Sequence, residues 1–162
     1  MSLATIMRKI LNGIGIVVLL FLGWITWAAL WGPNRLPDRV PIHFNAAGTP
    51  DGWGSATGMI LLPVLAGGLY LLLSVVARFP GAFHYPVRIT AQNVQRLQEI
   101  TLDMIAWLKV ENSCLFAVLQ WTFVRAARTH DGHLFPMILP FFIVAIFGTV
   151  GWHFVALFRA AR

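Results

Sequence analysis

The feature that most constrains this chain is a set of four long apolar runs, each long enough to cross a lipid bilayer. They cover residues 10–31, 57–79, 104–124 and 135–158. A helix of about 20 residues spans the hydrocarbon core, which is about 30 Å thick. Only helices and closed barrels satisfy every backbone polar group in lipid. The sequence therefore predicts an all-α membrane protein, a bundle of four transmembrane helices in a single domain.

The amino-acid composition indicates whether the chain associates with lipid or with nucleic acid. Charged residues make up 11% of the chain and hydrophobic residues 58%, whereas soluble domains carry about 25% charged residues. The net charge of +6 does not indicate nucleic acid, because the basic residues lie at the ends of the apolar runs. We expect the lipid bilayer as partner and no nucleic acid. Glycine motifs inside two runs also allow close helix packing or a homo-oligomer: Gly13-Ile14-Gly15 and Gly67-Gly68.

The distribution of basic residues predicts the topology. When Lys and Arg are counted on alternate sides of the four runs, one side is richer. That side carries Arg8, Lys9, Arg78, Arg88, Arg96, Arg159 and Arg162, and the other carries Arg35, Arg39, Arg125 and Arg128. The richer side of a membrane protein usually faces the cytoplasm. We therefore expect a multi-pass protein of the inner (cytoplasmic) membrane with both termini in the cytoplasm.

The third run follows an amphipathic segment and contains polar residues itself. Before it, residues 91–103 place apolar side chains at helical spacing, at Val94, Leu97 and Ile100. We predict a cytoplasmic amphipathic stem over 91–103 that continues into the third span as one helix, over about 91–124. The run itself is the weakest of the four, because it contains Lys109 and Glu111.

The loop between the first two runs, residues 32–56, has more pattern than a linker. Val40, Ile42 and Phe44 alternate with other residues, which indicates a short extended segment with one apolar face. The segment 49–52, Thr-Pro-Asp-Gly, predicts a tight turn. We expect an ordered extracytoplasmic loop that folds back onto the helix ends.

Part of this loop carries a recognisable motif. The stretch LPDRVPIHFNAAGTPDGWGS holds eleven fixed positions, which are Pro37, Pro41, His43, Phe44, Asn45, Gly48, Asp51, Gly52, Trp53, Gly54 and Ser55. It resembles the signature of a bacterial integral-membrane domain of unknown function found at the N-terminus of Sdp-type toxin-immunity (SdpI-like) proteins. Ala56 departs from this pattern, since the family usually has lysine there.

The resemblance implies a non-enzymatic role in immunity or signalling. It implies a partner that is a peptide toxin or another membrane protein, bound through the loop. The residues expected to contact that partner are His43, Phe44, Asn45, Asp51 and Trp53.

Polar residues at membrane depth suggest a second function. Ionisable groups in lipid are costly and often functional, and here they are Lys109, Glu111 and His153, with Asn112 beside them. Lys109 and Glu111 point about 200° apart on a helix, so Glu111 needs a partner on another helix, such as His153, or a proton. Three hypotheses remain open: Lys109 reaches the inner headgroups, a polar cluster stabilises the bundle, or the chain is a small transporter or channel subunit.

Catalytic and metal motifs are weak or lacking. The sequence has no glycine-rich phosphate loop, HExxH, nucleophile elbow or Ser-x-x-Lys, so we expect no enzyme activity and no cofactor. A metal or small-ligand site in the loop is a further hypothesis, with Asp38, His43 and Asp51 as weak candidates. His130 and His133 of the loop between the last two runs could add ligands.

Overall fold

A computed structural model of the chain describes residues 2–129 and 136–161. It contains four helices: α1 (Leu3–Trp31), α2 (Leu61–Val76), α3 (Val94–Arg128) and α4 (Ile138–Ala160). Between α1 and α2 lie two antiparallel strands, β1 (Arg39–Phe44) and β2 (Pro50–Ser55). Short 3-10 helices follow β2 and α2, at Ala56–Ile60 and Pro80–Ala82. We call the end of the bundle that carries the strands the hairpin end, and the opposite end, where α1 begins and α4 ends, the terminal end.

Three helices of the described chain are long and apolar enough to cross a membrane. They are Leu3–Trp31, Ala56–Val76 (α2 with its 3-10 turn) and Ile138–Ala160. No more than 28% of the most apolar window of each is buried, so most of their apolar surface points outward. A surface of this kind is typical of helices that face lipid. Three of the four predicted runs thus form helices that are candidates to span a membrane.

α3 differs from the other helices because it occupies the centre of the bundle. It packs against α1, α2 and α4, and it buries Lys109, Ser113 and Gln120. Its neighbours are protein rather than lipid, which explains why its sequence is the least apolar. With 35 residues it is about 52 Å long, well beyond the roughly 30 Å hydrocarbon core. That it crosses the membrane as a fourth span remains a prediction.

The helix boundaries differ from the predicted runs in understandable ways. α1 begins at Leu3 because the Ser2 hydroxyl accepts a hydrogen bond from the Thr5 N–H at 3.2 Å. α3 begins at Val94 rather than 91, because Thr90 and Asn93 exchange side-chain-to-backbone hydrogen bonds that close a turn. Residue 135, the predicted start of the last run, lies outside the described residues.

One glycine sets a close approach between α1 and α2. A Cβ on Gly15 would lie 2.8 Å from Cε2 of Tyr70, which is closer than packed atoms allow. The Tyr70 hydroxyl donates a hydrogen bond to the Asn12 carbonyl at 2.9 Å, so the ring is held against α1. Among the described residues, no side chain or neighbouring helix comes within 4 Å of the position that a Cβ would take on the other glycines of the predicted packing motifs, Gly13, Gly67 and Gly68.

The base of the hairpin is anchored in the hydrophobic core. Leu36 and Val40 are buried against Ile25 and Ala29 of α1 and Val124 of α3. The Leu36 N–H also donates a hydrogen bond to the Ala29 carbonyl at 2.7 Å. Burying a Leu or Val side chain away from water contributes about 1.5–3 kcal/mol. The segment is therefore fixed to the hairpin end of the bundle.

The predicted turn at 49–52 is wrong, because the chain turns earlier. The Asn45 side-chain oxygen accepts two backbone N–H groups at 3.0 Å, and Gly48 adopts φ 79°, which only glycine takes readily. Pro50 instead begins β2, where a strand tolerates a missing N–H. The two donors to Asn45 are the amides of Ala47 and Thr49.

The predicted apolar face of β1 is only partly present. The strand pairing shifts register on both sides of His43, which breaks the alternation of side chains. Val40 is buried, and Phe44 stacks on Phe123 of α3 with ring centroids 5.3 Å apart. Ile42, however, is 50% exposed. The hairpin therefore packs through its base and its tip, while its middle faces outward.

Candidate functional site

The middle of the hairpin displays a pair of polar side chains. His43 Nδ1 lies 2.5 Å from Asp51 Oδ1, and both side chains are exposed, at 71% and 43%. Trp53, which pairs with Pro41 across the strands, is also exposed. An exposed polar pair of this kind contributes only about 0–1 kcal/mol to stability. We call Ile42, His43, Asp51 and Trp53 the hairpin surface.

A cavity of about 370 Å³ opens between the hairpin tip and the bundle. Phe44, Asn45 and Gly48 line it from the hairpin, and Leu119 of α3 and Pro140 of α4 line it from the bundle. We call it the tip cavity. Its lining is mostly apolar, so it suits a hydrophobic side chain. Two of the five residues predicted to contact a partner thus border this cavity, and the other three belong to the hairpin surface.

The loop metal candidates do not assemble into a site within the described residues. No group of three or more His, Cys, Asp or Glu side chains in residues 2–129 and 136–161 is placed to hold a metal ion. The structure brings His43 and Asp51 together, but Asp38 does not complete a set of three. His130 and His133, the other proposed ligands, lie outside the described residues.

The polar residues of α3 separate onto two sides of that helix. Lys109 faces α2: its ammonium donates to the Ser74 hydroxyl at 3.4 Å and lies 4.9 Å from the centroid of the Tyr70 ring. A cation over an aromatic face is stabilised by the ring quadrupole. Lys109 is only 5% exposed, so protein encloses its side chain.

Glu111 faces α4. Its Oε1 accepts a hydrogen bond from the Thr149 hydroxyl, while its Oε2 is buried without a partner among the described residues. His153 lies one turn further along α4, with Nδ1 2.8 Å from the Thr149 carbonyl. The predicted partner on another helix is present, but it is Thr149. Asn112 donates to the Leu108 carbonyl of its own helix, so the single predicted cluster is divided.

Two polar contacts between distant residues were not anticipated from sequence. Gln120 is fully buried and donates to the Thr26 hydroxyl at 2.9 Å. Arg8 forms a salt bridge with Asp103 at 3.0 Å. Burial raises the pKa of Asp103, and the charge of Arg8 acts in the opposite direction. In the sequence, only the presence of polar Gln120 within an apolar run indicates the first contact. Nothing in the sequence around Arg8 or Asp103 indicates the second.

Comparison with known proteins finds one similarity, which covers part of the chain. A family model described as domain of unknown function (DUF1648) matches residues 18–67. The matched region runs from within α1 through the whole hairpin into the first turns of α2. Neither a curated protein nor a solved structure matches the chain. The match therefore covers the hairpin surface and its anchoring residues, and it carries no assigned activity.

Proposed function

We propose that this chain is a non-enzymatic protein of the bacterial inner membrane that binds a peptide or another membrane protein through the hairpin surface. One observation carries the proposal: the hairpin is buried at its base, while its His43–Asp51 pair and Trp53 remain exposed beside the tip cavity. A rigid, exposed element loses little conformational entropy when it binds.

The chemistry of these residues suits recognition. Exposed charged and hydrogen-bonding pairs add little to folding but orient a partner and determine its specificity. Tryptophan is among the residues that contribute most to binding when a partner covers it. The tip cavity supplies an apolar pocket next to this polar pair. A partner with one hydrophobic side chain and a polar backbone edge would complement both surfaces.

The aromatic residues support a bilayer around the bundle. Tryptophan prefers the boundary between lipid and water, and every tryptophan of the chain is at least 43% exposed. Those near the hairpin end are Trp27, Trp31, Trp53 and Trp121, and those towards the terminal end are Trp107 and Trp152. The distribution of basic residues, in turn, supports cytoplasmic termini and an extracytoplasmic hairpin.

The immunity or signalling role derives from the resemblance to SdpI-like proteins. The matched domain itself has no known function. The exposed hairpin residues, which include His43, Asp51 and Trp53, belong to the motif that carries this resemblance. On this basis we propose a peptide toxin or a membrane protein as the partner.

Site-directed photocrosslinking in intact bacterial cells tests the proposal. A photoreactive residue replaces Ile42 or Trp53 of the hairpin surface, or Val144 of α4 as a control on the outward apolar surface. We expect a discrete adduct from the hairpin positions, identified by mass spectrometry as a peptide or a membrane protein, and none from Val144. Asp51→Asn should reduce the adduct several-fold with unchanged protein levels. Hairpin positions that yield no adduct, or one insensitive to Asp51→Asn, contradict the proposal.

The orientation is tested separately by cysteine labelling. Ile42→Cys in a Cys114→Ala background provides one thiol on the exposed part of β1. A membrane-impermeant maleimide should label it in intact spheroplasts. Labelling that requires lysis would place the hairpin in the cytoplasm and refute the topology.

A small transporter or channel subunit is a second candidate function. The observation that favours it is Glu111, whose Oε2 is buried at the interface of α3 with α4 without a partner among the described residues. Its bonded neighbour Thr149 lies one helical turn from His153 on α4. Ionisable groups in such positions often line proton or ion pathways. Proton flux in proteoliposomes should then be lost in Glu111→Gln and kept in Glu99→Gln, a matched change near the start of α3. Equal flux in both variants would exclude this candidate.

A further inference from the structure

A second cavity lies at the terminal end of the bundle, away from the hairpin. It occupies the space between the first turns of α1, the end of α2 and the middle of α3, with a volume of about 230 Å³. A water molecule takes up about 30 Å³ of the liquid, so the space admits a larger polar group. The lining residues that matter here are Arg8, Lys9, Asn12, Ala77, Ala106 and Lys109. We call it the basic cavity.

The basic cavity has more positive charge than its own carboxylates balance. Three cationic side chains line it, and the carboxylate paired with one of them is Asp103, at 3.0 Å from Arg8. Within residues 2–129 and 136–161, no carboxylate lies within 4.0 Å of the Lys109 ammonium. Glu111, the nearest acid in sequence, is bonded to α4 instead. Lys109 therefore brings to this cavity a positive charge that no neighbouring carboxylate of the described residues balances.

Two buried groups lack the partners that folding usually provides. Lys109 is 5% exposed, and its ammonium has a hydroxyl and an aromatic face as its partners among the described residues, although a buried charge normally requires a counter-ion. The Asn12 Oδ1 is buried and has no hydrogen-bond partner in the part of the chain that the structure describes. The Asn12 amide also carries two donors on Nδ2. An anionic group that also carries a hydroxyl would satisfy both residues, because its anionic oxygens accept from Lys109 and from the Asn12 Nδ2, and its hydroxyl donates to the Asn12 Oδ1.

We propose that the basic cavity binds the phosphate group of an anionic lipid headgroup. The cavity lies where α1 begins and α2 ends, and helix ends are where headgroups meet a membrane protein. Basic pockets between transmembrane helices commonly hold such headgroups. In the topology proposed above, the headgroup would belong to the cytoplasmic leaflet. A soluble phosphate-bearing anion shares this chemistry and is distinguished below. The inference uses no residue of the hairpin surface and stands independently of its function.

Lipid binding to the delipidated full-length protein tests this site. Native mass spectrometry in an uncharged detergent would measure the dissociation constants of phosphatidylglycerol and of phosphatidylcholine, with inorganic phosphate as the soluble probe. We expect phosphatidylglycerol to bind at least about tenfold more tightly than phosphatidylcholine, a preference that charge complementarity readily provides. If inorganic phosphate alone binds with the same dependence on Lys109, the ligand is a free phosphate-bearing anion and the cavity assignment still holds.

Matched variants distinguish lipid binding in the basic cavity from a general effect of surface charge. Lys109→Gln should weaken phosphatidylglycerol binding at least about tenfold, and Lys109→Arg should retain most of it. Arg88→Gln removes the same charge from an exposed position outside the cavity and should change binding less than about twofold.

A second variant that keeps every charge tests the cavity independently, in case Lys109→Gln misfolds. Ala77 is partly buried at the edge of the cavity, so Ala77→Leu should block the headgroup by filling space. Equal affinity for both lipids, equal effects of Lys109→Gln and Arg88→Gln, or unchanged binding in Ala77→Leu would each overturn the proposal.

Discussion

The hydrogen bond between α1 and α3 offers a sharp test of how the central helix is held. Gln120 donates to the Thr26 hydroxyl at 2.9 Å, and that hydroxyl donates in turn to the Leu22 carbonyl at 2.8 Å. The Gln120 Oε1 has no partner among the described residues. The two side chains are thus unequal: Thr26 has a second partner, whereas Gln120 depends entirely on Thr26.

This inequality predicts that two single substitutions differ in their effect on the free energy of unfolding. Thr26→Val preserves the shape but leaves the whole Gln120 amide buried and unpaired, which should cost about 1–3 kcal/mol of unfolding free energy. Gln120→Met removes the bond together with the unpaired Oε1, while Thr26 keeps its bond to Leu22. A bond between transmembrane helices is worth about 0.6 kcal/mol on average. Gln120→Met should therefore change stability by less than about 0.5 kcal/mol.

The assay is reversible unfolding of the full chain in mixed micelles, followed by circular dichroism. The double variant Thr26→Val/Gln120→Met should recover most of the stability that Thr26→Val loses, because no unpaired amide remains. If Gln120→Met costs as much as Thr26→Val, or if the double variant is the least stable of the three, the reasoning fails.

Two further predictions concern glycines. Gly15→Ala should lower the free energy of unfolding by about 1–3 kcal/mol in the same assay, because the new methyl group would collide with the Tyr70 ring. Gly13→Ala is the control: no neighbouring helix or side chain of the described residues lies within 4 Å of the new methyl group, so this variant should be neutral or slightly stabilising. Equal losses of stability in the two variants would refute the close approach of α1 and α2. Gly48→Ala should cost about 1–2 kcal/mol through its left-handed backbone and should increase protease cleavage of the hairpin, an effect that Gly58→Ala should not produce.

The central position of α3 explains why its polarity was hard to interpret from sequence. A helix surrounded by other helices needs no continuous apolar surface, so the hydrophobic pattern that identifies lipid-facing spans is weak there. Lys109, Ser113 and Gln120 are all buried in α3. Each uses a neighbouring helix or its own backbone as partner. Polar residues of this kind can hold helices together where the hydrophobic effect does not.

The hairpin shows how local patterns can compete. The alternation of Val40, Ile42 and Phe44 indicated a strand, and the structure has β1 at that position. The turn was assigned to 49–52, because Pro-Asp-Gly is a strong turn motif in isolation. In the folded chain Asn45 closes the turn instead. The burial of Val40 and the stacking of Phe44 on α3 hold this register and place residues 50–52 in β2.

The candidate sites were located only in part. His43, Asp51 and Trp53 were chosen because a motif contains them, and the structure adds that they are exposed on an anchored hairpin. Lys109 and Glu111 were expected to point apart, and they do face different helices. The basic cavity was not anticipated, because its walls come from three helices that are far apart in sequence.

The amino-acid sequence by itself determined the medium and the main elements of this protein. The scarcity of charge and the length of the apolar runs indicate membrane-spanning helices, because these are properties of each segment alone. The tertiary structure alone decided which helix is central, where the hairpin turns, and which polar groups are paired. Salt bridges such as that of Arg8 with Asp103, and orphaned groups such as the Glu111 Oε2, depend on distances between segments far apart in the chain. No local pattern encodes those distances, since packing of the whole bundle sets them.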